Sequence, residues 1–314
     1  MEIHAPTKPI LTLKEAAVHL AIVTVGILIA LSLEGMVEWL HHRALVREAR
    51  DVIQHEIDDN ARDLDKSMSR ISSQVKDLGD AIRVMSSDEN GKRSAVLGGA
   101  LSYRTASLHN AARTTADLTG AFSYMDYAEV GRYAAVYDAQ ARFESMQAKA
   151  LDLGVAALSS MIGRDLPSLG AAEAHDLADK LRAASASLIV ASELGVDLRI
   201  EYGKMLAHTV AAEPLHLPRA AEAELAGKWK GPLGSSTVTL AFERSGREGL
   251  VGYFEVADRG TARLPLGEIS FVDGKLTIRV PSLAAELGAT VDGGQMTGRW
   301  NQVGMGVPIT LTRE

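Results

Sequence analysis

Between Ala16 and Leu33 the chain reads AAVHLAIVTVGILIALSL, interrupted by polar side chains at His19, Thr24 and Ser32 alone. At about 1.5 Å rise per residue, a helix over this run matches the hydrocarbon thickness of a bilayer, which predicts a transmembrane helix. Thr12 and Glu15 stand three apart just ahead of it, the spacing of a reciprocal helix cap, and they place the helix start at Leu13. A cleaved signal peptide competes with a retained anchor, because Lys8 and Lys14 form a thin charged region and Ala30 and Ser32 offer a small-residue cleavage site. A buried core helix is a further alternative, for which the run is too long and too uniformly apolar. Val37, Leu40, Val46, Ala49 and Ile53 then carry a helical pattern straight out of the apolar run.

From Ile57 the pattern becomes a heptad seam, with Ile57, Ala61, Leu64, Met68, Ile71, Val75, Leu78, Ile82 and Met85 alternating spacings of four and three. Such a seam needs a partner helix, either from the same chain in an antiparallel bundle or from a second copy in a parallel coiled coil. Ser86 to Arg93, with Asn90-Gly91 and dense charge, reads as a chain reversal. That favours packing within the chain and leaves homo-oligomerisation through the heptad helix as the secondary outcome. A helix is expected from Arg104 to Thr119, closed by Gly120. Another starts at Asp126 as N-cap, with Glu129 at the capping-box position, and runs to about Ile162. Its apolar face reads Val130, Tyr133, Ala134, Tyr137, Ala141, Met146, Leu151, Val155, Leu158 and Ile162. Arg164 to Gly170 is a connector around Pro167, and Ala171 to His208 is the last long helix, with Leu177, Leu181, Leu188, Val196, Ile200 and Leu206 inside.

Pro214 and Pro218 mark 210–225 as a linker, beyond which the period drops to two. Strands are expected at Lys228 to Gly231, Thr237 to Arg244, Leu250 to Val256, Ala262 to Phe271, Leu276 to Val280, Ala284 to Val291, Met296 to Asn301 and Val307 to Arg313. Ser245-Gly246, Asp258-Arg259-Gly260, Asp273-Gly274 and Asp292-Gly293-Gly294 supply the turns. Eight short antiparallel strands predict a small barrel or two-sheet sandwich, since closure removes exposed edges. The chain thus divides into 1–35 as tail and transmembrane helix, 36–209 as helical bundle, the linker, and 226–314 as a β domain: a multidomain α plus all-β protein.

Composition changes this picture mainly by exclusion. Zero Cys rules out disulfide scaffolds, thiolate metal sites and cysteine nucleophiles, and suits an oxidising compartment. A net charge of -7 provides no basic surface for phosphate backbones, so nucleic acid is not an expected partner. The chain carries no nucleophile elbow, phosphate-binding loop, zinc-protease helix or dinucleotide fingerprint. Ser73 and Lys76 form an S-x-x-K on the heptad helix, where ordinary solvent-facing residues explain them better than a nucleophile and its base. His41 and His42 lie about 100° apart on a helix, poorly placed for one metal ion. Glu34 and Glu38, one turn apart, read as interfacial carboxylates. Trp229, Trp300 and Gln302 either line a ligand cavity in the β domain or pack its core. No cofactor and no metal site is expected.

W-K-G at Trp229 to Gly231, D-R-G at Asp258 to Gly260, V-P at Val280-Pro281, G-R-W-N-Q at Gly298 to Gln302, Gly304, Pro308 and L-T-R at Leu311 to Arg313 carry a resemblance. Residues 226–314 resemble the small all-β accessory domain found beside bacterial serine hydrolases, which implies a lipocalin-like domain of exported proteins and no catalysis of its own. The N-terminal two thirds resemble uncharacterised bacterial single-pass membrane proteins. The expectation is a non-enzymatic protein of the bacterial inner membrane that binds a protein partner or serves as an accessory subunit of a larger membrane complex. A transmembrane sensor and a hydrolase-related enzyme are the alternatives. Arg43, Arg47 and Arg50 argue for a cytoplasmic body, and the short N-terminal tail argues for a periplasmic one, which is the expectation adopted.

Overall fold

The computed structural model of the chain describes residues 13–87, 93–100, 104–206, 214–245, 249–257, 263–283, 285–302 and 305–314. Thr12, Asn90-Gly91, Gly246, Asp258 to Gly260 and Gly304, all invoked above, lie outside them. One helix, α1 (Leu13–Met85), runs unbroken for 73 residues. It is followed by α2 (Arg93–Ala100), α3 (Ala111–Leu118), a 3-10 turn (Ala121–Tyr124), α4 (Tyr127–Ser159), a 3-10 turn at Leu166–Ser168, α5 (Ala171–Leu206) and α6 (Arg219–Leu225).

Burial begins at Val46. From Ile53 onward the heptad positions of α1 are buried, with Ile82 half-buried, and their partner comes from the same chain. Helix α5 runs antiparallel to α1, since Gln54 bonds to the Met205 carbonyl, Asp65 pairs with Arg199, and Ser86 bonds to Arg182. Helix α4 runs parallel to α1, as Arg50 pairs with Glu129, Glu56 with Tyr137, Asn60 with Gln140 and Ser67 with Gln147. The three helices crowd together at Gly195 on α5, where a Cβ would stand 2.4 Å from Met68 Sδ and 3.1 Å from a Phe143 ring carbon.

Two expected helices differ from the reading of the sequence. Residues 104–110 are not helical, and the helix begins at Ala111. Side chains of α1 and α4 supply the hydrogen bonds that a helix would have made internally. Ala106 N–H donates to Gln147, His109 N–H donates to Asn60 at 2.7 Å, and the His109 carbonyl accepts from both Asn60 and Gln140. The face of α4 differs as well. The buried stripe runs through Tyr133, Val136, Tyr137, Gln140, Phe143, Gln147, Ala150, Gly154 and Ala157, while Leu151, Val155, Leu158 and Ile162 are exposed. Asp126 caps α4 as expected, accepting from Ala128 N–H, but Glu129 closes no capping box and pairs with Arg50 at 2.7 Å instead. Gly120 takes the left-handed conformation expected of it, at φ 73.

Nine strands follow: β1 (Gly227–Leu233), β2 (Ser236–Arg244), β3 (Leu250–Val256), β4 (Arg263–Pro265), β5 (Ile269–Val272), β6 (Lys275–Val280), β7 (Ala285–Asp292), β8 (Gln295–Gln302) and β9 (Met305–Arg313). They form one curled antiparallel sheet in the order β4-β3-β2-β1-β9-β8-β7-β6-β5. The count is nine rather than eight because the expected strand from Ala262 to Phe271 divides. Pro265 has no N–H to donate, and at Gly267 a Cβ would meet the Pro281 ring at 2.8 Å. Between the halves the backbone bonds both ways, Leu266 N–H to the Gly252 carbonyl and Gly267 N–H to the Arg279 carbonyl. The two edges of the curled sheet are therefore joined by this single segment.

Alternate residues of the strands fill the interior: Val238, Leu240 and Phe242 on β2, Leu276, Ile278 and Val280 on β6, Leu287, Ala289 and Val291 on β7. Asp273-Gly274 turns with both residues at positive φ, as a tight hairpin demands. The C-terminal part of the expected linker is ordered as α6, and Leu215 bonds to Leu250 on β3. The sheet meets the bundle through a 3-10 turn at Pro281–Leu283, which touches both α1 and α5.

Candidate functional site

Trp229, Trp300 and Gln302 take different roles. Trp229 is fully buried beneath α6, its indole N–H donating to the Leu225 carbonyl at 2.8 Å and the Arg313 guanidinium lying over its ring. It packs the core and reaches no cavity described here. Trp300 and Gln302 sit on β8 at the mouth of the sheet, where the Trp300 indole N–H donates to Gln302 Oε1 at 3.2 Å. The Trp300 ring stacks on Phe254 of β3, with centroids 4.9 Å apart. These rings form the floor of a pocket of about 300 Å³. Val238, Val256, Leu283 and Val307 add apolar wall, and Glu193 and Val196 of α5 close the side towards the bundle.

The pocket's chemistry is simple. Glu193, exposed at the rim, is the one ionisable side chain of its lining, and Gln302 and the hydroxyls of Ser235 and Ser236 are its polar groups. An apolar group of a few carbons fits such a space, with hydrogen bonding available only at the edge. Sequence reasoning found Trp300 and Gln302 because a Trp in a G-x-W-x-Q strand stands out. It missed Phe254 and the α5 wall, since nothing in the sequence indicates which helix lies across the sheet mouth.

A larger cleft of about 1150 Å³ separates α1 from the other side of the sheet. Ser69, Ser72, Ser73 and Lys76 form one wall, and His216, Glu268, Arg279, Glu286 and Asn301 lie opposite. The Ser73 hydroxyl donates to the Ser69 carbonyl at 3.3 Å, a bond within its own helix. Lys76 is exposed, with no carboxylate within 4 Å among the described residues. Arg279 is engaged by Glu268 at 2.9 Å and by Glu286 at 3.7 Å, so the charges of the cleft are largely answered within the wall itself.

The most perturbed ionisable groups belong to the bundle. Burial raises the Tyr137 hydroxyl well above its ordinary value, and the Glu56 carboxylate that accepts its proton at 2.6 Å adds to the shift. Burial likewise pushes Tyr133 up to about 12, with Glu129 beside it. Both stay neutral at physiological pH and act as hydrogen-bond donors: Tyr137 reaches Glu56 and braces α4 on α1, whereas Tyr133 donates to Glu129 of its own helix, the carboxylate that Arg50 of α1 holds. Asp65 is also raised by burial, against the opposing pull of Arg199.

The expected membrane-spanning stretch has its own geometry. From Ala17 to His41 every residue of α1 is exposed, and its most apolar stretch of 18 residues, at a mean hydropathy of 2.4, is long and apolar enough to cross a membrane. Thr24 and Ser32 return their hydroxyls to the carbonyls of Leu20 and Leu28. The His41 and His42 rings lie 6.0 Å apart from centre to centre, tilted at 55° to one another, and His42 stacks on Tyr124 at 3.7 Å. No cluster of three metal-ligating side chains occurs among the described residues. The chain matches no family model, no curated protein and no solved structure.

Proposed function

We propose that this protein is a single-pass anchor of the bacterial inner membrane whose body, held on the periplasmic side, binds a protein partner and serves as a non-enzymatic accessory subunit of a membrane complex. One observation carries the reading: α1 exposes apolar side chains on all sides up to Leu40 and then becomes the buried seam of the bundle, without a break. A helix with that division serves two solvents. The hydroxyls of Thr24 and Ser32, bonded back within the helix, suit a segment that has no water to bond. The lipocalin-like resemblance of the β domain and the apolar pocket beneath Trp300 support the binding part, the pocket taking an apolar side chain of the partner.

Membrane retention tests the anchor. The full chain should remain in the membrane fraction after a carbonate wash, and protease added to spheroplasts should degrade the body. Release into the supernatant would exclude the anchor, and protection until the membrane is permeabilised would place the body in the cytoplasm. Trp300→Ala should then weaken recovery of the partner from detergent extracts while leaving membrane retention unchanged.

A further inference from the structure

The lowest part of the body beside the apolar half of α1 is an elbow made of α3, the 3-10 turn that follows it, and the first residue of α4. Its level is fixed by contacts along α1. Ala112 N–H donates to Glu56, the Tyr124 ring stacks on His42, and Glu129 returns to Arg50. The chain thus descends from the level of residue 56 to that of residue 42 and climbs again. At this turning point it carries large apolar side chains that the body does not cover: Leu118 is 82% exposed, Tyr127 92% and Tyr124 51%. Trp39 of α1, 55% exposed, lies one turn below His42, with the Arg43 guanidinium over its ring at 5.1 Å.

We infer that this elbow is a lipid-contacting foot, seated in the headgroup layer of the bilayer with Leu118 and Tyr127 inserted and Trp39 beside them. The inference rests on the reading of α1 as a membrane anchor and adds where the bilayer surface lies. Helix from Ala16 to Leu40 spans roughly 37 Å, longer than a hydrocarbon core of about 30 Å. The surplus covers the next several ångströms, the depth of the headgroup layer, and it ends where Tyr124 meets His42. Tyr and Trp are the side chains that prefer this layer, because each sets an apolar ring against the acyl chains and a polar group towards water. Exposed Leu118 finds the same environment. Continuity with the apolar surface of α1 selects the bilayer, as any other occupant of the elbow would have to share that position with lipid.

The chain has no cysteine, so single-cysteine variants report without background. The full chain would be reconstituted in phosphatidylcholine vesicles with a fluorescent label at Leu118→Cys, Tyr127→Cys, Ser168→Cys in the distal connector, or Ser32→Cys in the span. Nitroxide lipids labelled at the headgroup should quench positions 118 and 127 at least about twofold more than position 168, as insertion into the aromatic interfacial layer requires. Acyl-chain nitroxides should quench position 32. Equal, weak quenching at 118, 127 and 168 with strong quenching at 32 would overturn the foot and leave the anchor standing. No quenching at 32 would remove the anchor and the foot together. Shielding of 118 and 127 by self-association, seen as a blue shift without lipid quenching, would also overturn it.

Discussion

Gly195 shows how closely the three helices approach one another. With Met68 Sδ at 2.4 Å and a Phe143 ring carbon at 3.1 Å from the place of its missing Cβ, α5 is held against α1 and α4 by the absence of a side chain. Helix propensity would favour any other residue except proline by up to about 1 kcal/mol. Packing opposes it more strongly, because the added atoms would meet both the Met68 side chain and the Phe143 ring, each fully buried. We therefore expect Gly195→Val to destabilise the body by about 1–3 kcal/mol, the usual cost of overpacking, read as a shifted denaturant midpoint. An unchanged midpoint would mean that the helices separate freely. At this scale the sequence was uneven in what it revealed. The heptad seam of α1 was plain because its positions are apolar, but the seam of α4 includes Gln140 and Gln147, both buried. Reading polar as outward rotated the helix and assigned Leu151, Val155, Leu158 and Ile162 to the inside.

Those glutamines matter through the element they hold. The segment 104–110 lies along the bundle without secondary structure, and its backbone groups find partners in Asn60, Gln140 and Gln147. Asn60 is fully buried and makes two bonds of 2.7 Å to the two backbone groups of His109. Asn60→Ala removes both at once and leaves Gln140 with a lost neighbour, so a loss of about 1–3 kcal/mol is expected, the cost of stranding buried polar groups. Hydrogen exchange offers a sharper reading than stability, because the His109 amide should lose protection while the amides of α5 keep theirs. If His109 exchanged at the same rate in both proteins, the segment would be held by something other than Asn60. No rule of local propensity foresees such a strap, and the same holds for α6, whose place is set by Trp229 and Arg313. The strands were legible almost throughout, since alternation in Thr237 to Arg244 or Ala284 to Val291 is a property of the strand alone. The division at Pro265 to Gly267 has a local cause as well, since a proline within so long a run cannot donate to a ladder.

The whole molecule is two bodies of contact on one rod. The other helices of the bundle and the 3-10 turn at Pro281–Leu283 bury α1 from Val46 onward, whereas the part before Leu45 touches the body through little more than the ring stack of His42 on Tyr124. A protein lacking residues 1–35 keeps that stack and every buried residue from Val46 onward. Its stability should accordingly match that of the full chain. A stack of this kind contributes about 0.5–1.5 kcal/mol, and even its loss would move the melting temperature of a body this size by only about 1–6 °C. Thermal unfolding followed by circular dichroism, with both proteins in the same detergent, should therefore give midpoints that agree within that range. A fall of more than about 10 °C would exceed anything the stack can supply. It would mean that the apolar segment folds back against the body in the full chain, which would remove the division of α1 between two solvents on which the anchor and its foot depend.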